Sequence, residues 1–165
     1  MSVTSIRKDT ERLTMTVTAE YDVTADRAWQ LWADPRQLER WWGPPTHPAT
    51  VMEHDLTPGG RVTYYMTGPE GEKYRGWWNV LEVEPPRLLV FEDGFADETG
   101  APNAAMPTSL ARVEISDRPG GVTITIVTRF PSLEAMEQLV AMGMEEGLQQ
   151  ALGQIDAILA GATAT

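Results

Sequence analysis

The middle of the chain carries three informative runs: WWGP at 41–44, DLTPGGR at 55–61 and EVEPPRLL at 82–89. Their proline and glycine residues are typical of short, stiff turns. Strand-like segments lie between these turns, and their close spacing favours an antiparallel meander because parallel strands need long crossover connections. An amphipathic helical segment ends the chain. We therefore predict an α+β fold in which a curved antiparallel sheet wraps around one long C-terminal helix, with a space between them.

Alternating apolar and polar residues indicate the strands of this sheet. The clearest case runs from Arg12 to Tyr21, where apolar residues alternate with threonines and a glutamate, the pattern of a half-buried strand. The same pattern predicts further strands at 50–56, 61–67, 73–83, 88–92, 109–116 and 122–130. Gly76 is interpreted as the mark of a β-bulge. The irregular run 93–108 is either a functional lid or a plain surface loop.

Capping residues and helical periodicity predict three helical segments. Thr24 or Asp26 can cap a short helix after the first strand, and Asp34-Pro35 begins a second short helix. Ser132 can cap the final helix, in which apolar residues recur at steps of three and four over about seven turns. Gly143 weakens that helix and predicts a kink that separates a short leading helix from the main one.

Length and charge limit both the architecture and the partners. The chain has 165 residues, which suits one domain, and we expect a loosely ordered tail at 1–10 and a single domain at 11–162. Its 13 basic and 24 acidic residues give a net charge of -11. This balance argues against nucleic acid and against anionic membrane surfaces as partners, since both attract clustered lysine and arginine.

Several classes of site and location find no support in the sequence. No cysteine occurs, so disulfides, thiol nucleophiles and thiolate metal sites are ruled out. His47 and His54 are the two histidines, and their spacing is not that of a metal site, so we expect no metal and no cofactor. No apolar run approaches the ~20 residues that cross a bilayer, and the first residues do not resemble a signal peptide. We expect a cytoplasmic protein.

Five runs of residues carry a resemblance to a known family: 28–32, 38–44, 55–61, Gly76 with 83–89, and 142–148. In this order and spacing the chain resembles the START-like, Bet v 1-like (SRPBCC) superfamily, and within it the AHSA1-like group, which is related to the C-terminal domain of the activator of Hsp90 ATPase. The resemblance covers roughly residues 13–160. It implies a helix-grip fold, with two short helices after the first strand and a long C-terminal helix across the concave face of the sheet. It also implies the binding or processing of hydrophobic small molecules, or for some members contact with a chaperone.

We expect an apolar cavity between the sheet and the final helix. The predicted ligand-binding residues are Trp41, His54, Val62, Tyr64, Met66, Trp77, Asn79, Leu81, Met136, Met144, Leu148 and Leu152, with Ile124 as a further wall residue. Tyr64, His54 and Asn79 are the polar groups that would orient a bound molecule. Trp77 and Trp78 point to opposite faces of their strand, and the sequence does not decide which of them faces the cavity.

Two side chains are candidates for acid–base chemistry. His54 is expected on the concave face, where an imidazole could orient a ligand or transfer a proton; a histidine bonded to a backbone or neighbouring group is the alternative. Glu92 either faces the interior, where a carboxyl group could act as a general acid, or is solvated while Leu89 and Phe91 face inward.

Three functions are compatible with these patterns. The first is a binding protein for a hydrophobic small molecule, whose identity the sequence does not give. The second is an enzyme of the polyketide cyclase or dehydratase type seen among relatives, with His54 or Glu92 as acid or base. The third is a protein-interaction module or chaperone accessory, although 165 residues leave no room for the separate N-terminal domain of the eukaryotic activators. A homodimer is compatible with all three.

Overall fold

The computed structural model describes residues 3–164. Within them the chain forms eight strands and five helices: β1 (Val3–Asp9), β2 (Thr14–Tyr21), α1 (Ala25–Ala33), α2 (Pro35–Trp41), β3 (Ala49–His54), β4 (Arg61–Thr67), β5 (Lys73–Glu84), β6 (Leu88–Phe95), β7 (Ser109–Arg118), β8 (Gly121–Arg129), α3 (Leu133–Ala141), α4 (Met144–Gly153) and α5 (Ile155–Ala164). The strands form one antiparallel sheet in the order β1-β2-β8-β7-β6-β5-β4-β3. The predicted α+β helix-grip architecture, with its curved sheet and its two short helices, is confirmed.

The alternation read from the sequence becomes one buried face of the sheet. In β2, Met15, Val17 and Tyr21 are almost fully buried, whereas the intervening threonines are half-buried on the other face. Strand β8 alternates in the same way and pairs with β2 along its whole length. The inward residues of the sheet therefore form one side of the core, and the helices supply the other.

Side-chain caps fix where the two short helices begin. Thr24, one of the two predicted caps, starts α1 because its hydroxyl accepts a hydrogen bond from the backbone N–H of Arg27 at 3.2 Å. Asp34 starts α2 by accepting from the backbone N–H of Arg36 at 2.9 Å, and Pro35 occupies the first turn. These two starts direct the tryptophans of both helices onto the sheet.

An aromatic cluster joins these helices to the sheet. Trp32, Trp41 and Trp78 have no exposed surface. Trp32 meets Trp41 edge-on at 4.7 Å between ring centroids, and Trp42 meets Trp78 edge-on at 4.9 Å. Trp78 in turn stacks on Phe91 at 3.9 Å. Each such pair adds about 0.5–1.5 kcal/mol beyond the burial of its surface, so the cluster holds α1 and α2 firmly in place.

The C-terminal helical region is three helices in succession, not one rod. The kink predicted at Gly143 is a complete break, since its φ of 92° belongs to the left-handed region and cannot continue a right-handed helix. A second break, at Gln154, was not predicted. The far end of α4 is tied down by hydrogen bonds: the Tyr21 hydroxyl donates to the carbonyl of Leu152 at 3.0 Å, and the Gln154 amide donates to the carbonyl of Gly43 at 2.6 Å.

The expected tail at 1–10 is largely a strand, so that prediction was wrong for its described part. Val3–Asp9 forms β1, which pairs with β2 at the edge of the sheet; residues 1 and 2 lie outside the described residues. An edge strand bonds to only one neighbour and needs few apolar side chains. Val3 and Ile6 are the two that pack against the core, which is too weak a pattern to read from the sequence.

The bulge in β5 lies at Leu81, between Val80 and Glu82, and not at Gly76 as predicted. Val80 is consequently buried, whereas Leu81 is 43% exposed. Gly76 faces inward, and a Cβ atom on it would lie only 2.4 Å from the hydroxyl oxygen of Tyr64. The glycine therefore makes room for the Tyr64 ring instead of bending the strand.

The break at Gly143 can be tested with two alanine variants. Gly143→Ala should lower the free energy of unfolding, because a residue with a Cβ atom in the left-handed region costs about 1–2 kcal/mol. Gly147→Ala is the matched control: it lies inside α4, where an added Cβ meets no atom within 4 Å, and should raise stability by up to about 1 kcal/mol. Urea denaturation measures both. A Gly143→Ala protein as stable as the wild type would contradict the assignment.

Candidate ligand cavity

A cavity of about 300 Å³ lies between the concave face of the sheet and helices α3 and α4. Strands β4, β6, β7 and β8 form its floor, and the ends of α1 and α2 close one side. The wall residues on which the following argument depends are Trp32, Trp42, Tyr64, Phe91, Asp93 and Met144. Most of the remaining wall consists of aliphatic, methionine, proline and glycine residues.

The cavity opens where α3 gives way to α4. Met142 lines the cavity and is also 54% exposed, so its side chain connects the interior with the surface. Pro44, from the segment after α2, and Pro107, from the irregular run before β7, line the cavity as well. The break at Gly143 thus lies at the opening, and a continuous helix would run past it.

Three aromatic side chains give the cavity a rigid wall. Trp32, Trp42 and Phe91 all line it. The Trp42 ring is 6.0 Å from the Trp32 ring and 6.5 Å from the Phe91 ring, and both contacts are edge-to-face. Trp42 also lies 6.0 Å from the ring of Tyr64. An apolar or cationic guest would therefore meet several aromatic faces and edges at once.

The polar end of the cavity is formed by Tyr64 and Asp93. Tyr64 projects from β4 across Gly76 of β5, the residue that faces it in the strand pair. Its hydroxyl reaches Asp93 on β6 and donates to the Asp93 Oδ1 atom at 3.4 Å. Both side chains line the cavity. Three adjacent strands thus bring together a phenol and a carboxyl group on a mainly apolar wall, to which Ser109 and Thr128 add two hydroxyl groups.

Burial dominates the protonation of this pair. Burial raises the pKa of Asp93 from 3.8 to about 7, although the hydrogen bonds from the Tyr64 hydroxyl and the Gly94 backbone N–H act in the opposite direction. Burial also raises the pKa of Tyr64 well above its ordinary value, and the Asp93 charge raises it further. Tyr64 is therefore a neutral donor at physiological pH, and Asp93 changes its charge near neutrality.

Asp93 lacks a cationic partner among the described residues. No lysine, arginine or histidine from this part of the chain lines the cavity, and none contributes to the pKa of Asp93. The wall contributed by α3 and α4 is uncharged as well: Leu139, Met142, Gly143, Met144, Gly147 and Leu148. Within the described residues, Tyr64 and Asp93 are the titratable groups of the cavity.

Four of the twelve predicted ligand-binding residues line this cavity: Tyr64, Met66, Met144 and Leu148. Their contact with a ligand stays a prediction. Four others lie in the solid core beside the cavity, where side chains leave no space for a guest: Trp41, Val62, Met136 and Leu152. Ile124 is buried in the same core. The prediction names Trp41 and not its neighbour Trp42. Trp42 lines the cavity, whereas the Trp41 indole N–H donates to the carbonyl of Leu31 at 2.9 Å.

The placement of Trp77, Asn79 and Leu81 on the cavity wall was wrong. Trp78 takes the inward position and is fully buried, so the alternate residues face the convex side. Asn79 and Leu81 are exposed there. Trp77 lies over Gly94, where an added Cβ would be 2.4 Å from the indole ring, and its N–H donates to the carbonyl of Phe95.

The two candidate acid–base residues lie away from the cavity wall. The Nε2 atom of His54 is 2.9 Å from the carbonyl oxygen of Trp32, which fits the alternative of a histidine bonded to the backbone. Glu92 lies on the outer face of β6, in a shallow groove with Leu81. The inward residues of that strand are Leu89 and Phe91, both almost fully buried, as the second of the two interpretations stated.

Asp93 is the titratable cavity residue that sequence reasoning missed, and the aromatic wall residues Trp32, Trp42 and Phe91 were missed as well. The prediction ended strand β6 at Glu92 and assigned Asp93 to the irregular run, but the strand continues to Phe95. The alternation that points Leu89 and Phe91 inward also points Asp93 inward. One more residue of strand would have placed a carboxyl group on the apolar face.

Within 3–164, no three histidine, aspartate or glutamate side chains come together as metal ligands. In the same part of the chain, no helix has the length and hydropathy that a membrane span requires.

The fold and the cavity define the class of this protein: a helix-grip domain with a hollow between its sheet and its C-terminal helices. A family model described as "Activator of Hsp90 ATPase homolog 1-like protein" matches residues 22–160. The chain therefore belongs to the AHSA1 family. No curated protein matches it.

Solved structures of similar proteins extend this assignment. Protein Ms6760 from Mycobacterium smegmatis is 50% identical, with a TM-score of 0.89 over 95% of this chain and 96% of that one. A protein from Arthrobacter aurescens, solved by NMR, is 48% identical, with a TM-score of 0.93 over 97% and 93% of the two chains. The AHSA1 protein from Silicibacter pomeroyi is 24% identical, with a TM-score of 0.71 over 89% and 97%, and bears on the fold alone.

The half-buried carboxyl group of Asp93 predicts a particular dependence of stability on pH. The pKa of Asp93 is higher in the folded state, so between its two pKa values the folded state holds more protons and stability falls as pH rises. Asp93→Asn cannot ionise and therefore removes this loss. As the pH rises from about 5 to about 7, we expect the free energy of unfolding of the variant to increase by about 2–3 kcal/mol relative to that of the wild type.

Urea denaturation across this pH range provides the measurement. Glu92→Gln is the matched control, because it removes the same charge from the outer face of the same strand; it should keep the wild-type slope. If the free energy of unfolding depends on pH in the same way in the wild type and in Asp93→Asn, Asp93 is ionised in both the folded and the unfolded state, and the prediction is wrong.

Proposed function

We propose that this protein binds a hydrophobic small molecule in the cavity between the sheet and helices α3 and α4. The observation that carries the proposal is a hollow of about 300 Å³ whose walls are mainly apolar and whose polar groups are Tyr64, Asp93, Ser109 and Thr128. Ligand sites are usually concave, mainly apolar and furnished with a few convergent polar groups. The size lies at the lower end of the range for such sites, about 300–1,000 Å³, which suits a compact guest.

The walls combine rigid and adaptable parts. Trp32, Trp42 and Phe91 are held by one another and by Trp78, so they form a surface of fixed shape. Met142 and Met144 lie at the break between α3 and α4, on the opposite side. Because methionine is flexible and polarisable, these side chains can adjust to guests of different outline. This division supports binding of a molecule through the α3–α4 side.

The hollow interior does not favour a chaperone-accessory role for this chain, whatever the family description names. An interaction module of the kind considered above would have a filled interior, and the hollow between the sheet and α3–α4 counts against it. Met52 of β3 and Tyr74 of β5 are exposed apolar side chains on separate elements, whereas Leu81 and Leu110 share one shallow groove on the outer face of the sheet. Singly exposed apolar residues are ordinary on protein surfaces.

The proposal is tested with a neutral apolar probe, ethylnaphthalene, in an NMR titration that follows the indole N–H signal of Trp42. We expect saturable binding and a shift of that signal, because Trp42 lines the cavity. Met144→Trp should weaken binding about tenfold or more, since the larger side chain occupies the hollow.

Met52→Trp is the matched control, because Met52 is 50% exposed on the edge strand β3 and lies away from the cavity. It should bind as the wild type does. Binding that is absent from the wild type, or equally strong in the Met144→Trp variant, would remove the cavity as the site.

A second candidate function is acid–base catalysis on the bound molecule, and one observation favours it: the pKa of Asp93 is raised to about 7 inside an apolar cavity. A carboxylate poised near neutrality is an efficient proton acceptor. The catalytic role considered for His54 or Glu92 would then pass to Asp93, with Tyr64 as the hydroxyl donor that it contacts.

A nitrobenzisoxazole is a suitable probe of this candidate. Asp93 would take the proton from the ring carbon, the electron pair of that C–H bond would form the third bond of a nitrile, and the N–O bond would break with its electron pair on the phenolate oxygen. We expect the rate to rise with pH through about 7, and Asp93→Asn to lower it about a hundredfold. An equal rate in the wild type, in Asp93→Asn and in Glu92→Gln would exclude this chemistry.

A further inference from the structure

We propose that the ligand is a lipophilic amine: an apolar body that fills the cavity and one protonated nitrogen that pairs with Asp93. This inference rests on the proposed function, because it names the class of molecule bound at the same site. It follows from three features of the cavity: an acid without a counter-ion, a fixed hydrogen-bond direction and a wall of aromatic rings.

The first feature is the incomplete set of partners around Asp93. Its side chain accepts from the Tyr64 hydroxyl at 3.4 Å, which is longer than an ordinary O–H···O hydrogen bond. A carboxylate offers about four acceptor positions. Besides the Tyr64 hydroxyl, the Gly94 backbone N–H is the hydrogen-bond donor that lowers the pKa of Asp93. Because Asp93 lines the cavity, its remaining acceptor positions are available to a guest.

The second feature is the direction of the Tyr64 hydroxyl. The indole N–H groups of Trp42 and Trp78 make no hydrogen bond of good geometry, yet they are close enough to the Tyr64 oxygen to lower the pKa of Tyr64. Indole N–H groups can only donate. The hydrogen bond from the Tyr64 hydroxyl to the Asp93 Oδ1 atom sets the direction, and the two indoles beside it are donors as well, so the remaining carboxylate lone pairs are the acceptors for a ligand.

The third feature is the aromatic wall around this polar end. Trp42 lies 6.0 Å from the Tyr64 ring, and Trp32 and Phe91 lie within 6.5 Å of Trp42. A cation within about 6 Å of an aromatic face is stabilised by the ring quadrupole, most strongly where water is excluded. Aromatic rings beside an unpaired carboxylate are a favourable setting for an ammonium group.

Charge distinguishes an amine from a neutral hydrogen-bond donor. Burial opposes the ionised form of Asp93 and raises its pKa to about 7, and a cation in the cavity would reverse that effect. Hydrogen bonds between ions are roughly twice as strong as those between neutral groups. The net charge of -11 also attracts cations toward the protein. A hydroxyl group would gain only the neutral hydrogen bond.

The experiment compares three naphthalene probes of nearly the same shape: naphthylmethylamine, naphthylmethanol and ethylnaphthalene. Near pH 8 we expect the amine to bind the wild type about tenfold or more tightly than the other two. Asp93→Asn should abolish this preference, measured as the ratio of the affinities for the amine and for ethylnaphthalene within the variant. Glu92→Gln, which removes a charge from the outer face of the same strand, should retain the preference.

The pH dependence provides a readout that needs no variant. Asp93 and Tyr64 are the titratable groups that face the cavity within the described residues, and the amine stays protonated between about pH 6 and 8. The preference for the amine should therefore decline as the pH is lowered through about 7 and Asp93 takes up a proton. The affinity of ethylnaphthalene should change much less.

The outcomes separate this inference from the function on which it rests. Equal affinity for the amine and for ethylnaphthalene would overturn the amine class and leave the binding function standing. A preference for naphthylmethanol equal to that for the amine would overturn it as well, in favour of neutral donors. If none of the three probes binds, both proposals fail. If Asp93→Asn does not fold, the probe comparison and the pH dependence in the wild type still decide.

Discussion

The packing of tryptophans between the two short helices and the sheet is the constraint on which the remaining structure depends. Trp32 and Trp42 touch each other and both approach Trp78, which stacks on Phe91. Indole side chains have only two rotatable bonds, and tightly packed rings cannot spread into an adjacent space. The cluster is therefore part of the hydrophobic core, and the sides of Trp32, Trp42 and Phe91 that face away from it form one wall of the cavity.

The polar end of the cavity depends on the same rigidity, supplied here by strands. Tyr64, Gly76 and Asp93 lie on three consecutive strands, β4, β5 and β6. The glycine is required because any side chain at that point would strike the Tyr64 ring. Sites built on sheet elements hold their geometry better than sites on loops, so the phenol and the carboxyl group meet without help from a bound molecule.

The sequence predicted the sheet and the helix ends better than the residues that line the cavity. Turn residues and alternation gave the antiparallel sheet, and Thr24, Asp34 and Gly143 marked helix ends correctly. These features arise from local backbone chemistry, which a single sequence records. The face toward which Trp77 or Trp78 points depends on strand register, and register is set by partners that are distant in the chain.

The limits of strand prediction explain the missed acid as well. A carboxyl group normally signals the surface, so the alternation of β6 was ended one residue before Asp93, although the strand reaches Phe95. The cost of burying such a group is sustained by the rest of the fold. Functional residues are often those that break local rules in this way.

The hydrogen bonds from Tyr21 and Gln154 hold only one end of helix α4 in place. The end of α4 near Leu152 is fastened to the sheet and to the turn after α2, whereas the end near Gly143 borders the hollow. Under the proposed binding function, substitutions around Gly143 would change the shape of the opening without loosening the anchor. The two ends of α4 therefore separate the residues that shape the hollow from those that hold the helix to the sheet.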